Sequence, residues 1–387
     1  MEHLPTLNWN EAGETRTARW QSEAGVPPPK RVMLADDTMT ADAAYRLACE
    51  GTALLWRGDF QNARQMLQAL ARRVDKGRKP KRKDKGKPQS PTEAFHQHRL
   101  AQSQRARTLG MLLIPFAADY GIPLGRAPDV RAACTEAYGP ADPAGMPFVA
   151  SLRELLGLIG AHEWRKKGVE VAALGARIHP HYGVFSPVRG EYIRMVAEAP
   201  LPAGIAENPL AFDIGTGTGV LAAVLARRGI RRVLATDTDA RALACARDNI
   251  ARLGLDNQVE VLATDLFPAG RAPLIVCNPP WLPARASSPI ERAIYDADSA
   301  MLRGFLAGLA AHLEPGGEGW LILSDFAEHL GLRTREALLA LISAAGLQVV
   351  DRIDVRPQHA KAFDAEDPLH AARSKEATSL WRLAAAG

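Results

Sequence analysis

The stretch that decides the fold is LAFDIGTGTG, residues 210–219, an apolar run that leads directly into a glycine-rich turn. A helical pattern, 220–228, follows it. Glycines let a backbone turn tightly and approach a ligand where a Cβ would collide. The spacing is GxGxG and differs from the GxGxxG of pyrophosphate-binding folds. An acid two residues before the first glycine suits a cationic, amine-bearing ligand better than a phosphate. We therefore assign to a cofactor loop Asp213, Gly215, Thr216, Gly217, Thr218 and Gly219; a strand-to-helix turn without a ligand is the alternative.

Around this loop, short apolar runs alternate with helix-length segments, a pattern typical of a parallel sheet with crossover helices. The predicted strands are 210–214, 232–236, 258–262, 273–277 and 320–324. The predicted helices are 220–228, 240–253, 299–313 and 334–344. Two last strands, 347–355 and 378–384, have no convincing helix between them and suit an antiparallel edge hairpin. The sequence therefore predicts an α/β, Rossmann-like, seven-stranded domain over residues 205–387.

Two further acids follow the next two predicted strands. Asp237, with the adjoining Thr238, ends the second strand, where open α/β sheets bind ligands. Its carboxylate can accept hydrogen bonds from both hydroxyls of a ribose. Asp265 follows the third strand and could accept the exocyclic amine of an adenine, with Leu266 adding backbone and apolar contact. Each acid alone is typical of a surface or capping residue, but three at successive strand ends indicate a nucleoside-containing cofactor.

The fourth strand runs into Asn278-Pro279-Pro280-Trp281. Two consecutive prolines cannot continue a central strand, so they fix a rigid loop at the sheet edge. The Asn278 side chain and the Pro279 backbone each offer a carbonyl acceptor, which together can hold both hydrogens of an amino group. Trp281 can stack on the attached planar system or serve only as a core anchor. We predict that these four residues are catalytic and that they direct transfer to a planar, conjugated nitrogen.

In this order and spacing, the glycine loop, Asp237, Asp265 and NPPW resemble the class I S-adenosylmethionine-dependent methyltransferases. The specific branch is the small methyltransferase domain, which carries an (Asn/Asp)-Pro-Pro-aromatic motif. The resemblance covers residues 182–384 and implies S-adenosylmethionine as the cofactor. It implies that Asp213 and the loop glycines line the methionine end, that Asp237 binds the ribose, and that Asp265 binds the adenine. Asn278 and Pro279 would receive the target amine.

The acceptor is less specified by the sequence. Gly183-Val184-Phe185-Ser186 is similar to a segment of ribosomal RNA guanine methyltransferases, while Pro187, Arg189 and Glu191 are similar to residues of release-factor glutamine methyltransferases. We favour RNA, with ribosomal RNA first, and keep a protein glutamine as the alternative. A catalytically silent RNA-binding protein with a retained fold is the non-catalytic alternative. A nicotinamide oxidoreductase would leave NPPW without a role.

Upstream of the methyltransferase region we predict three parts. Residues 1–37 form an irregular leader, 38–165 a mostly helical N-terminal domain, and 166–204 a connecting segment that covers the cofactor site. Helices are predicted over 40–56 and 60–74, and two S-x-x-E capping boxes, at Ser90 and Ser151, open further helices.

Charge is concentrated in one segment. Residues 72–88 carry ten Lys and Arg against two Asp, while the whole chain has a formal net charge of +5. We predict a solvated basic loop that either contacts RNA phosphates or serves as a solubilising linker.

Composition excludes several other classes of protein. Four scattered cysteines without a CxxC pair argue against a disulfide framework and fit a reducing cytoplasm. The longest apolar run, of about ten residues, is half of the ~20 that a membrane span needs, so we predict no membrane association. The histidine pairs 179/181 and 96/98 lack a third ligand nearby, so we predict no metal site.

Overall fold

The computed structural model describes residues 5–77, 90–286, 290–357 and 363–386. The chain divides into two compact units. Unit 1 comprises Met1–Gln89 and His96–Glu163, and unit 2 comprises Ser90–Phe95 and Trp164–Gly387. The predicted connecting segment, 166–204, is therefore part of the same unit as the methyltransferase region. None of the helices in the described part of the chain has the length and apolar character to cross a membrane.

Unit 1 is built around a six-stranded mixed sheet in the order β1-β2-β6-β5-β4-β3. Its strands are β1 (Thr6–Glu11), β2 (Glu14–Trp20), β3 (Arg31–Ala35), β4 (Thr52–Trp56), β5 (Leu112–Phe116) and β6 (Phe148–Ser151). Its helices are α1 (Ala41–Cys49), α2 (Phe60–Gly77), α3 (Pro91–Leu109), α4 (Arg131–Tyr138) and α5 (Leu152–Lys167); α3 begins and α5 ends in unit 2. Strands β3, β4 and β5 are parallel, and β6 is antiparallel to β5.

The prediction of a mostly helical N-terminal domain is wrong. Every residue of β4 and of β5 is buried, so these strands lack the in–out alternation that would mark them. A short apolar run of this kind cannot be told from a buried helix by periodicity. Gly51, with φ of +80°, separates α1 from β4 inside the predicted helix 40–56.

The prediction of an irregular leader is also wrong, because β1, β2 and β3 lie within residues 1–37. The β1–β2 pair is an antiparallel hairpin that pairs Glu11 with Glu14. Its two turn residues, Ala12 and Gly13, have φ of +52° and +84°, as a tight two-residue hairpin turn requires.

The basic segment is only partly a loop. Residues 72–77 continue helix α2, in which Arg73 forms an ion pair with Asp42. The remainder of the segment, 78–88, lies outside the described residues.

The two predicted capping boxes behave differently. At Ser90 the box is complete: Glu93 N–H donates to Ser90 Oγ (3.2 Å), and Ser90 N–H donates to Glu93 (3.0 Å). At Ser151, the N–H of Arg153 is the only donor among the described residues that reaches the hydroxyl (3.2 Å). Glu154 instead accepts hydrogen bonds from the Tyr138 hydroxyl (2.7 Å) and the Glu23 N–H (3.2 Å). Its tertiary partners thus outcompete the local cap.

Unit 2 contains a seven-stranded sheet in the order β11-β10-β9-β12-β13-β15-β14. Its strands are β9 (Leu210–Ile214), β10 (Arg232–Asp237), β11 (Val259–Ala263), β12 (Ala272–Cys277), β13 (Leu313–Ser324), β14 (Leu347–Val355) and β15 (Thr378–Ala385). The first five in spatial order are parallel, and β15 is antiparallel to both of its neighbours. A small hairpin, β7 (Val169–Val171) with β8 (Ala176–Ile178), precedes the sheet.

Helices cover both faces of this sheet. They are α6 (Gly190–Glu198), α7 (Val220–Arg227), α8 (Ala240–Arg252), α9 (Ala300–His312), α10 (Phe326–His329), α11 (Arg335–Ala344) and α12 (His370–Arg373). Successive β12 side chains alternate between two core clusters: Leu274 and Val276 pack in the cluster with α6 and α7, and Ile275 and Cys277 pack in the cluster with α9 and α11. Burial on both faces explains the near-continuous apolar runs in these strands.

Candidate active site

The glycine turn and the Asn-Pro-Pro-Trp corner are neighbours in the structure. Strands β9 and β12 pair directly and in parallel, with Ile214 opposite Cys277 at their carboxyl ends. The next residue of each strand is the first residue of its loop, Gly215 and Asn278. The sheet therefore places the predicted cofactor loop beside the predicted catalytic motif.

The glycine loop is held by the adjacent strand β10. The backbone N–H groups of Gly215 and Thr216 both donate to the carbonyl of Thr236 at 2.9 Å. Gly215, Gly217 and Gly219 all have positive φ, between +54° and +79°. A Cβ on Gly219 would lie 3.2 Å from the backbone of Ala246 in α8. Around the Cβ position of Gly217, no atom of the described residues other than its chain neighbours lies within 4 Å. Gly219 thus permits close helix packing, and Gly217 faces open space at the predicted cofactor site.

Asp213 is the penultimate residue of β9, directly before the loop. It is 1% exposed, and its Oδ2 accepts hydrogen bonds from the Thr216 hydroxyl (2.6 Å) and the Ala222 N–H (3.0 Å). Burial raises the pKa of this carboxyl to about 6, against the lowering effect of these two bonds. The carboxylate organises the turn and the start of α7. Its predicted contact with a ligand amine stays a prediction.

The other two acids, Asp237 and Asp265, lie at or just after the carboxyl ends of β10 and β11. Asp237 is half-buried and accepts hydrogen bonds from the N–H groups of Gly217 and Asp239, both at 3.0 Å. Asp265 is exposed, and Leu266 adopts a positive φ of +55°. The Thr236 hydroxyl fixes that turn by donating to the Leu266 carbonyl (2.6 Å). The neighbouring Thr238 is exposed beside Asp237.

The corner motif carries an internal hydrogen bond. The indole Nε1–H of Trp281 donates to Asn278 Oδ1 at 2.9 Å. A carbonyl oxygen has two lone pairs, so Asn278 keeps one for another donor. Pro279 is buried, Pro280 is half-buried, and among the described residues no donor bonds to the Pro279 carbonyl. The two acceptors on which the predicted amine contact depends are both available.

One face of the Trp281 ring is covered. The guanidinium carbon of Arg189 lies 4.9 Å from the ring centroid, within cation–π distance. Trp281 also packs against buried residues of both core clusters, as the core-anchor alternative predicts. The predicted stacking of an acceptor on Trp281 is restricted to whatever part of the other face this packing leaves open. In the sequence, Arg189 is marked only by a resemblance, and no local signal predicts its contact with Trp281.

The connecting segment packs against helix α8 beside the glycine loop. Asn249 of α8 accepts the His179 N–H (2.7 Å) and donates to the Thr218 carbonyl (3.1 Å). Val184 packs on α8 residues, and the Tyr182 ring lies 5.4 Å from the guanidinium carbon of Arg241. The His181 imidazole contacts Asp248 at 3.1 Å. Within the described ranges, no group of three or more potential metal ligands is present.

The segment that leads into helix α9 also lies close to the glycine loop, and no sequence signal predicted this. Asp296 is 9% exposed and caps α9 by accepting from the N–H groups of Met301 (3.0 Å) and Leu302 (3.3 Å). Asp298 and Ser299 both have left-handed φ, +57° and +54°. Consecutive non-glycine residues in this conformation are uncommon and concentrate at functional sites. A Cβ on Gly215 would collide with Met301 Cε, so α9 approaches the glycine loop closely.

This sheet order, with a glycine loop after β9 and an Asn-Pro-Pro-Trp corner after β12, is the arrangement that the resemblance to class I S-adenosylmethionine-dependent methyltransferases predicts. The comparisons with known proteins agree with this resemblance. Residues 177–336 match the family model of the methyltransferase small domain. The cofactor of the domain is S-adenosylmethionine.

Curated relatives include proteins with different acceptors. A release factor glutamine methyltransferase of Cereibacter sphaeroides is 34% identical over 196 residues, covering 46% of this chain and 65% of the relative. A ribosomal RNA small subunit methyltransferase C of Sodalis glossinidius is 39% identical over 118 residues, 30% of each chain. The matched part of the chain thus spans between about a third and two thirds of the length of these relatives. A solved S-adenosylmethionine-dependent methyltransferase from Clostridium acetobutylicum matches 51% of this chain and 92% of its own, at 13% identity and a TM-score of 0.36.

Proposed function

We propose that the protein transfers a methyl group from S-adenosylmethionine to a planar, conjugated nitrogen of an RNA base, with ribosomal RNA as the RNA class. The observation that carries the transfer chemistry is the direct pairing of β9 with β12, which puts Asn278 beside the cofactor loop. The open space at Gly217 and the accessible carboxylates of Asp237 and Asp265 fit the methionine, ribose and adenine parts of the cofactor.

Bound S-adenosylmethionine supplies an electrophilic methyl group, so that a C–N bond forms as the S–C bond breaks and a thioether leaves. An aryl amine or amide nitrogen is a poor nucleophile because its lone pair is delocalised. Asn278 Oδ1 and the Pro279 carbonyl accept its two hydrogens, which favours a pyramidal nitrogen whose lone pair faces the methyl group. The same two oxygens stabilise the positive charge that develops on nitrogen. The methylated nitrogen then loses its proton to water.

Three observations support RNA as the acceptor. The basic segment 72–88 offers a high density of charge for phosphates. The Gly183–Ser186 segment is similar to that of ribosomal RNA guanine methyltransferases. One curated relative is named as a ribosomal RNA methyltransferase.

A protein glutamine is the second candidate, and different observations favour it. Relatives that are at least 34% identical include five named release factor glutamine methyltransferases. A glutamine amide is also a planar, conjugated nitrogen, so the same corner can hold it.

Transfer of labelled methyl from S-adenosylmethionine to separated RNA, protein and DNA fractions of a host extract tests the proposal. We expect label in RNA, at a base that nuclease digestion and mass spectrometry then identify. Label in protein alone would instead establish the glutamine candidate. RNA retained on a filter without incorporated label would indicate a catalytically silent RNA-binding protein and exclude transfer.

A further inference from the structure

The orientation of the Asn278 side chain is set by a donor within its own motif. An asparagine amide presents an acceptor on one side and two donors on the other, and a half-turn about its terminal bond exchanges them. The indole of Trp281 is a donor only. Its 2.9 Å bond to Oδ1 therefore favours the orientation that keeps the carbonyl, and its second lone pair, available.

Trp281 is in turn held by Arg189. The guanidinium carbon of Arg189 lies 4.9 Å from the centroid of the Trp281 ring, and the guanidinium is itself held by hydrogen bonds. Arg189 donates to Glu191 (2.7 Å) and to Glu376 Oε1 (3.0 Å). The side chains of Arg189 and Glu191 are 17% and 11% exposed. An arginine confined in this way fixes the plane of the ring that it covers.

Glu376 anchors the far end of these contacts. It is 2% exposed, and its Oε1 also accepts the Ser324 hydroxyl at 2.8 Å. Ser324 is the last residue of β13, and Glu376 lies two residues before β15. The contacts therefore connect the interior of the sheet to the corner motif through side chains alone.

We propose that Glu376, Arg189 and Trp281 form a positioning chain that holds the Asn278 amide in the orientation that accepts the substrate amine. This inference rests on the proposed N-methyltransferase function. In this positioning chain, the main role of Trp281 is to donate its N–H to Asn278. Stacking of Trp281 on the acceptor contributes less to the reaction. None of the three needs to touch the cofactor.

The substitution Trp281→Phe tests the first link, because it keeps an aromatic ring and removes the N–H. We expect kcat to fall roughly 3- to 10-fold, the range that the loss of one hydrogen bond corresponds to. The dissociation constant of S-adenosylmethionine should stay unchanged. An unchanged kcat, or an equal loss of cofactor affinity, would overturn the proposal.

Trp381→Phe is the matched control. Trp381 lies in β15 of the same sheet and is also flanked by arginines, Arg335 at 5.2 Å and Arg352 at 5.0 Å from the ring centroid. It makes no described hydrogen bond to Asn278. Its kcat should stay near that of the wild type, and a loss equal to that of Trp281→Phe would indicate a general packing effect and contradict the positioning chain.

The second link is tested by Glu376→Gln, alone and combined with Trp281→Phe. If Glu376 acts through Trp281, the double variant should lose little more kcat than Trp281→Phe alone. Losses that multiply would show that Glu376 acts independently and would refute the chain.

A measurement without turnover separates this inference from the proposed function. The Trp281 indole N–H signal is identified in an NMR spectrum by its loss in Trp281→Phe. In Glu376→Gln its solvent exchange should be faster, by roughly tenfold. Unchanged exchange would refute the chain even where methyl transfer is fully active, and faster exchange would support it even where no acceptor has been found.

Discussion

Each of the two units places three aspartates at or near the carboxyl ends of parallel strands, but their partners differ. In unit 1, Asp37, Asp59 and Asp119 follow β3, β4 and β5. Asp59 forms a two-bond pair with Arg126 and Asp119 does so with Arg131, while Asp37 accepts the Asp59 N–H.

In the described part of unit 2, the equivalent carboxylates have no such counter-ion. Across the described residues, no arginine or lysine forms an ion pair with Asp213, Asp237 or Asp265. Asp213 and Asp237 accept only hydroxyl and backbone N–H donors. Acids at strand ends are therefore not by themselves a sign of a ligand site. The distinguishing features are glycines that leave space and the absence of a guanidinium that would neutralise the charge.

The largest effect on methyl transfer should come from a change in the Asn-Pro-Pro-Trp corner, which has no counterpart in unit 1. Asn278→Ala should lower methyl transfer on the order of 1,000-fold, because charge developing on the acceptor nitrogen loses an aligned dipole. Calorimetric affinity for S-adenosylmethionine should stay close to that of the wild type. Wild-type turnover in this variant would remove Asn278 from the mechanism.

The two kinds of aspartate should respond to pH with opposite sign. The pKa of Asp213 rises from 3.8 to about 6 on folding because the carboxyl is buried. Its contribution to the free energy of unfolding is present below pH 3.8 and is lost, by about 3 kcal/mol, as pH rises through about 6. Relative to Asp213→Asn, the wild type should therefore lose stability across this window in urea titrations.

Asp59→Asn is the comparison. The Arg126 guanidinium lowers the pKa of Asp59, so its contribution to stability is present above the unfolded-state pKa and is lost as pH falls. Parallel pH dependence of the two differences would contradict the distinction between the units.

A smaller effect tests whether unit 1 contributes to acceptor binding. Changing Lys79, Lys81, Arg82 and Lys83 to Gln should weaken RNA binding roughly tenfold at moderate salt and make its salt dependence shallower. Changing the exposed residues Lys30, Arg153, Lys167 and Lys375 removes the same charge elsewhere and serves as the control. A salt slope that is unchanged would assign the basic segment to the linker interpretation.

The smallest effect compares the two S-x-x-E sequences. Ser90→Ala should cost about 1 kcal/mol of unfolding free energy, because it removes a complete capping box. Ser151→Ala should cost less, since only the Arg153 N–H loses a partner. Equal urea midpoints for the two variants would show that the reciprocal Glu93 bond adds nothing.

The sequence predicted unit 2 well because its signals are local. The strand 210–214 was predicted to the residue, and the helix 240–253 differs from α8 by one residue. Glycine spacing and the Pro279-Pro280 pair constrain the backbone directly, whatever surrounds them. The predicted edge hairpin is antiparallel as expected, although β15 lies inside the sheet and only β14 is at its edge.

The features that could not be predicted from the sequence depend on tertiary contacts. The strands β4 and β5 are defined by what covers them, and five apolar residues in a row carry no period. Arg189 and Glu376 are 187 positions apart in the chain, and nothing local links them. The burial of Asp213 could not be predicted from its position in the sequence. The side chain of an acid before a glycine turn can face either the protein interior or a ligand.

The place of β15 has a consequence for how the enzyme matures during synthesis. A nascent chain that has emerged as far as Val355 already contains the glycine loop and the corner motif. It still lacks the strand that separates β13 from β14, and it lacks the carboxylate that secures Arg189. Such an intermediate would expose unpaired edges on both of those strands, which invites association with other chains. Under the proposed function, catalytic competence should therefore come late, after the insertion of this one strand.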